Sequence, residues 1–263
     1  MSTPESPQGD ASPTDRAGGG AKVRPPVASI ASGPGKLAAA AALAALLTWS
    51  VTLVGGYPLF RDPQVAPTGG PAPPMPNEEE RAAMARRAAL NLATIMALSG
   101  GFLGVGMALA EGVRRRPVVR VSLAVFAAAA AGGCAGIAAG WCSERMFELP
   151  DLLKLDEWTR GSRDLVVQAA CWGLIGLGVG AGLTLSGWRR APSLVGGALG
   201  GLFSALPYSM ISAVVGIFVP AGETVGLVPS STANRLLWLV IAAVCIGTGI
   251  GIAGQGRRPG VQD

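Results

Sequence analysis

The sequence predicts an all-α integral membrane protein: six transmembrane helices in a glycine-rich bundle, suggesting three repeated two-helix hairpins. Three observations predict it. Apolar blocks of about 20 residues or more carry no Asp, Glu, Lys or Arg at their centres, and that length spans a bilayer as helix. Only 14% of the 263 residues are charged and half are apolar, where a soluble domain carries about 25% charged residues. A run of small residues recurs three times, and each time it leads into arginines.

Residues 1–33 are rich in Ser, Pro, Gly and Asp without apolar periodicity, which predicts a disordered tail. The first span, about 37–57, is mostly alanine and leucine. It starts too far in for a cleaved signal peptide and reads as a signal anchor. Residues 58–76 hold seven prolines and predict an extended linker. Asn77 followed by Glu78, Glu79 and Glu80 is a helix start, with a capping side chain and acids in the first turn.

The second span covers about 88–110 and the third about 118–141, the latter with Gly132, Gly136 and Gly140 at four-residue spacing. Residues 150–158 read as a short amphipathic surface helix, with Leu152, Leu155 and Trp158 on one face. The fourth span runs over about 165–187. The fifth, about 194–219, carries Gly197, Gly201 and a central Pro207, which removes a backbone hydrogen bond and predicts a kink or hinge. The last loop ends in Ser-Ser-Thr, a helix start signal, before the sixth span at about 236–254. The membrane domain is 34–258, and 259–263 form a short tail.

Six spans place both termini on one side. With the N-terminus inside, twelve of the 21 Lys and Arg residues fall inside and nine outside. The short basic connections at 112–117 and 188–192 strengthen the choice, while Arg86 and Arg87 oppose it. The expected location is the plasma (inner) membrane with both termini cytoplasmic.

The small-residue runs include Gly104 and Gly106, then Gly176, Gly178, Gly180 and Gly182, then Gly247, Gly249 and Gly251. Gly104, Gly176 and Gly247 stand 72 and 71 residues apart, and Arg114, Arg189 and Arg257 open the basic clusters that follow. Chance pairs are common in so glycine-rich a chain, so the repeat rests chiefly on order and orientation. The spacing is more telling. At about 100° per residue, i and i+4 share a face and i+2 lies nearly opposite. Gly173, Gly176 and Gly180 therefore oppose Gly178 and Gly182, and Gly247 and Gly251 oppose Gly249. A helix with two small faces can be gripped from both sides, so spans two, four and six are expected at the centre and span one at the periphery.

Catalysis is not expected. Histidine is absent, no charge stands at mid-span, and no phosphate-binding G-x-x-x-x-G-K-[ST] loop occurs. No cofactor, metal or nucleic-acid partner is predicted. The expected partners are the lipid bilayer and either further copies of the chain or another membrane protein. Cys142 and Cys171 fall toward the same side and a disulfide is conceivable, although packing as free thiols is the simpler reading.

Uncharged polar residues concentrate toward the outer halves of their helices: Asn91, Thr94, Gln168, Ser209 and Ser212, with Tyr208 nearer the middle. Ser204, Tyr208 and Ser212 share a face beside Pro207. These residues could line an outward vestibule for a small neutral solute. The simpler reading has them near headgroups or bonded to their own helix. The primary expectation is a non-catalytic scaffold or complex subunit; the alternative is a channel or facilitator.

Overall fold

The computed structural model describes residues 33–56, 77–112, 117–152, 157–187, 189, 191–218, 228–229 and 231–255, without the side chains of 144–152, 157–162, 212–213 and 215–218. Among them lie six helices and no strand: α1 (Pro34–Val54), α2 (Glu78–Gly112), α3 (Val118–Leu152), α4 (Glu157–Leu185), α5 (Pro192–Phe218) and α6 (Thr232–Ala253). Each is long and apolar enough to cross a membrane. All but residue 33 of the predicted tail (1–33), the proline-rich linker (58–76) and the C-terminal tail (259–263) lie outside the described residues. So do the side chains of Leu152 and Trp158, and Leu155 altogether.

Local chemistry sets the helix ends. Asn77 and Glu80 form a reciprocal capping box: the Glu80 N–H donates to Asn77 Oδ1 at 2.8 Å and the Asn77 N–H to Glu80 Oε2 at 2.9 Å. This cap starts α2 about three turns before its apolar stretch. Ser231 caps α6, accepting from the Asn234 N–H at 3.1 Å, so the helix starts before the apolar span and takes in Arg235. At the far end of α4, Gly187 adopts φ +70° and lets the chain leave the helix.

The helices form a closed ring in chain order, with α1 returning to pack on α6. Within the ring α2, α4 and α6 also touch one another, whereas α1, α3 and α5 do not among the described residues. Three inner helices thus form a triangle, and each outer helix lies in the furrow between two of them.

The small residues sit at these seams. On α4, Gly176 faces Gly197 and Gly180 faces Ser193 and Leu194 of α5, while Gly178 faces Ala131 and Ala135 and Gly182 faces Ala128 of α3. On α6, Gly247 and Gly251 meet Leu37 and Pro34 of α1, and Gly249 meets Gly196 of α5. On α2, Gly104 meets Ala128 of α3, while Gly106 meets Ala40 of α1. Gly132, Gly136 and Gly140 of α3 meet Gly100, Met96 and Ala93 of α2, and Gly201 of α5 meets Trp172 of α4. At nearly all of these positions a Cβ would stand under 3.0 Å from neighbouring backbone. Backbones this close gain dense van der Waals contact, the main attraction between helices where lipid is as apolar as the side chains.

The glycines face the seams, and the large side chains face the axis. Ile95, Met96, Leu103 and Met107 of α2, Trp172, Ile175 and Leu183 of α4, and Trp238, Leu239, Ile246 and Ile250 of α6 are fully buried. They recur at i, i+3 and i+4, one stripe per inner helix.

One ion pair closes the end where the inner helices finish. Arg189, just past α4, pairs through Nη2 with Glu111 Oε1 on the last turn of α2. Its guanidinium also lies against Gly254, the C-cap of α6, so one side chain touches all three inner helices. Removing one member of a largely buried pair strands the other. Because Glu111 is partly exposed, Glu111→Gln is expected to cost less than a fully buried pair, about 1–2 kcal/mol. The expected result is a lower melting temperature in detergent, with the double variant Glu111→Gln, Arg189→Gln recovering part of the loss.

Candidate functional site

The opposite end of the inner triangle carries its polar residues. Asn91 on α2, Gln168 on α4 and Arg235 on α6 are each under one-tenth exposed. Each stands one turn before a core residue on the same buried stripe: Asn91 before Ile95, Gln168 before Trp172, and Arg235 before Trp238 and Leu239. Neighbouring contacts place them at one level. Ala93 of α2 lies against Gly140 of α3. The adjacent Ala139 carbonyl accepts from Cys171 Sγ of α4 at 3.5 Å. Trp172 and Trp238 meet edge-to-face with ring centroids 4.9 Å apart. The inner helices therefore contribute one amide, a second amide and a guanidinium to the same layer, directly above two indoles.

Arg235 is held in place by its loop as well as its helix, since Nε donates to the Pro229 carbonyl at 3.4 Å. Both indole N–H groups are buried without a hydrogen-bond acceptor among the described protein atoms. In an edge-to-face pair one N–H edge can point at the partner's π face, a weaker contact than a carbonyl bond. The layer brings together two side-chain amides, each both donor and acceptor, and one guanidinium, a donor with a positive charge.

The other predicted polar residues are dispersed. Thr94 Oγ1 donates to Leu90 O at 2.7 Å, Ser204 Oγ to Gly201 O at 2.6 Å, and Ser209 Oγ to Ala205 O at 2.7 Å. Each hydroxyl thus satisfies itself on its own helix. Tyr208 is half-buried and packs against the core, and the Ser212 side chain lies outside the described residues. Pro207 lies inside α5, which continues as helix on both sides of it. Arg235, Trp172 and Trp238 are missing from the sequence-predicted site. Arg235 reads as a loop charge when the span is drawn from hydropathy alone. The signal available for it was its three- and four-residue spacing to Trp238 and Leu239.

No protein-family model, no characterised protein and no solved structure matches this chain.

Among the described residues, furrows follow seams of the ring. One of about 510 Å³ lies between α2 and α3, one of about 630 Å³ between α1 and α2, and one of about 900 Å³ between α5 and α6. Their linings are almost wholly apolar, among them Phe102, Leu43 and Phe203. Such furrows fit hydrocarbon. Among the described residues no three Cys, Asp or Glu side chains gather as a metal site.

Proposed function

We propose that this multi-pass membrane protein is a non-catalytic scaffold or the subunit of a larger membrane complex. It resides in the plasma (inner) membrane with both termini cytoplasmic, the side on which the arginine clusters of the inner helices emerge. The observation that carries the reading is the filled axis. Trp172, Trp238 and the Ile, Met and Leu side chains between them occupy the line that a solute would have to follow. Self-bonded hydroxyls at Thr94, Ser204 and Ser209 further support a packing role. The exchange of inner and outer helices around the ring supports three repeated hairpins.

A facilitator for a small neutral solute is the second reading. It draws on the buried layer of Asn91, Gln168 and Arg235, which would form the closed floor of an outward vestibule. Flux through proteoliposomes separates the two. The expected result is permeability to water, glycerol and urea equal to that of empty vesicles. Flux above that level, reduced by Tyr208→Phe combined with Ser212→Ala, would establish the facilitator and overturn the scaffold.

A further inference from the structure

Cys142 of α3 and Cys171 of α4 stand as free thiols, one exposed and one buried. We propose that they form an oxidisable pair: a thiol-disulfide oxidant converts them to a disulfide that staples α3 to α4 at the polar end of the bundle.

The placement follows from the antiparallel seam between these helices. On α3 the residues facing α4 are Ala128, Ala131 and Ala135, which meet Gly182 and Gly178, and Ala139, whose carbonyl accepts from Cys171. At about 100° per residue, Cys142 projects about 60° round from Ala139, between Ala135 at about 40° and Ala131 at about 80°. It therefore belongs to the stripe that faces α4. On α4, Cys171 projects within about 20° of both Gly178 and Gly182, the glycines that face α3. Both thiols lie in the same seam.

Their heights also match. Three residues separate Ala139 from Cys142, a rise of about 4.5 Å. The Ala139 carbonyl points along α3 toward Cys142, and Cys171 Sγ already touches that oxygen at 3.5 Å. Helical side chains lean toward their own N-terminus. In an antiparallel pair this leans Cys142 back toward Ala139 and Cys171 forward to the level of Cys142. The neighbouring Ser143 shows the reach, since its Oγ bonds the carbonyl three residues back, Gly140 O, at 2.8 Å. In the same rotamer the Cys142 thiol would come to the Ala139 carbonyl, which already accepts from Cys171. Small residues on both faces keep the backbones close, as a disulfide needs with its Cα atoms about 4.4–6.8 Å apart.

Exposure sets the order of the steps. Cys142, at the end of the span and exposed, loses its proton and attacks a sulfur of the oxidant's disulfide. One oxidant thiol leaves, and a mixed disulfide remains on Cys142. The Cys171 thiolate, its proton passed to solvent or to the departing thiolate, then attacks Cys142 Sγ and expels the second oxidant thiol. Two protein thiols are oxidised to one disulfide, and one oxidant disulfide is reduced to two thiols.

The test uses the full chain in detergent with oxidised glutathione as the oxidant. Free thiols are then alkylated in denaturant and the peptides mapped by mass spectrometry under non-reducing conditions. The expected result is a peptide pair joined through Cys142 and Cys171. In the Cys171→Ser variant, glutathione should stay on Cys142, because the resolving thiol is gone. Wild-type protein that carries glutathione on Cys142 while Cys171 remains alkylatable would overturn the proposal. So would recovery of both residues as free thiols, or a disulfide from Cys142 to Cys134 or Cys245 in place of Cys171.

Discussion

Gly176→Leu is expected to abolish the folded bundle. Gly176 and Gly197 present their Cα atoms to each other's carbonyls across the α4–α5 seam, and a Cβ on either would stand under 3.0 Å from the other's backbone oxygen. A flexible side chain could rotate away from an added methyl; a helix carbonyl cannot move without displacing its helix. Overpacking a well-filled core costs about 1–3 kcal/mol for small increments. Gly176→Ala should fall at the upper end of that range, and leucine adds three more carbons to the same space. The two helices would have to separate along their length, losing the contacts of Gly173, Gly180 and Gly201 as well. The measurement is monodisperse yield and melting temperature in detergent.

The control is Gly101→Ala. Gly101 has only the Ala129 carbonyl near it, and a Cβ there would stand 3.8 Å from that oxygen. There the helix gains from the better propensity of alanine, about 1 kcal/mol in exposed helix interiors. The expected melting temperature is equal to wild type or higher. Equal losses at Gly176 and Gly101 would show that the seams are not where the chain is tightest.

Trp172→Ala and Trp238→Ala are expected to be the most damaging truncations. The two rings fill the axis where α4 meets α6, fully buried and edge-to-face. In a soluble core such a change costs about 3–5 kcal/mol, part of it transfer from water and part the cavity left behind. Here the unfolded reference still sits in lipid, so the transfer part largely falls away. The cavity part remains, and for an indole it is on the order of 3 kcal/mol. Trp172→Phe keeps an aromatic edge and should lose much less. Because the rings touch, the double alanine variant should cost less than the sum of the singles. Melting of the four proteins in one detergent measures the coupling, and strict additivity would show that the rings do not support each other.

Much of the fold is legible along the chain because its determinants are local. Twenty apolar residues without a charge need no partner to be recognised as a span. Asn77 with Glu80 and Ser231 with Asn234 are caps within one turn. The two small faces of α4 follow from spacing alone: Gly176 and Gly180 reach one neighbour, Gly178 and Gly182 the other.

The candidate site was less legible. Asn91 and Gln168 stand out as polar residues in apolar segments. Arg235 does not, because hydropathy averages over a window and trims a charged residue from the end of a span. The same window counts Glu111 and Arg189 as separate loop charges, although they pair across 78 positions of sequence.

The sequence by itself therefore determined the six spans, the capped starts of α2 and α6, and which faces of each helix are small enough to be approached. Only the tertiary structure decided which helix approaches which face. It packed α2, α4 and α6, the three helices expected at the centre, so that Trp172 and Trp238 fill the axis between them and Asn91, Gln168 and Arg235 share one layer. The physical reason is range. Hydropathy and helical phase are properties of a single segment, whereas the closed ring depends on how six segments share close backbone contact at once.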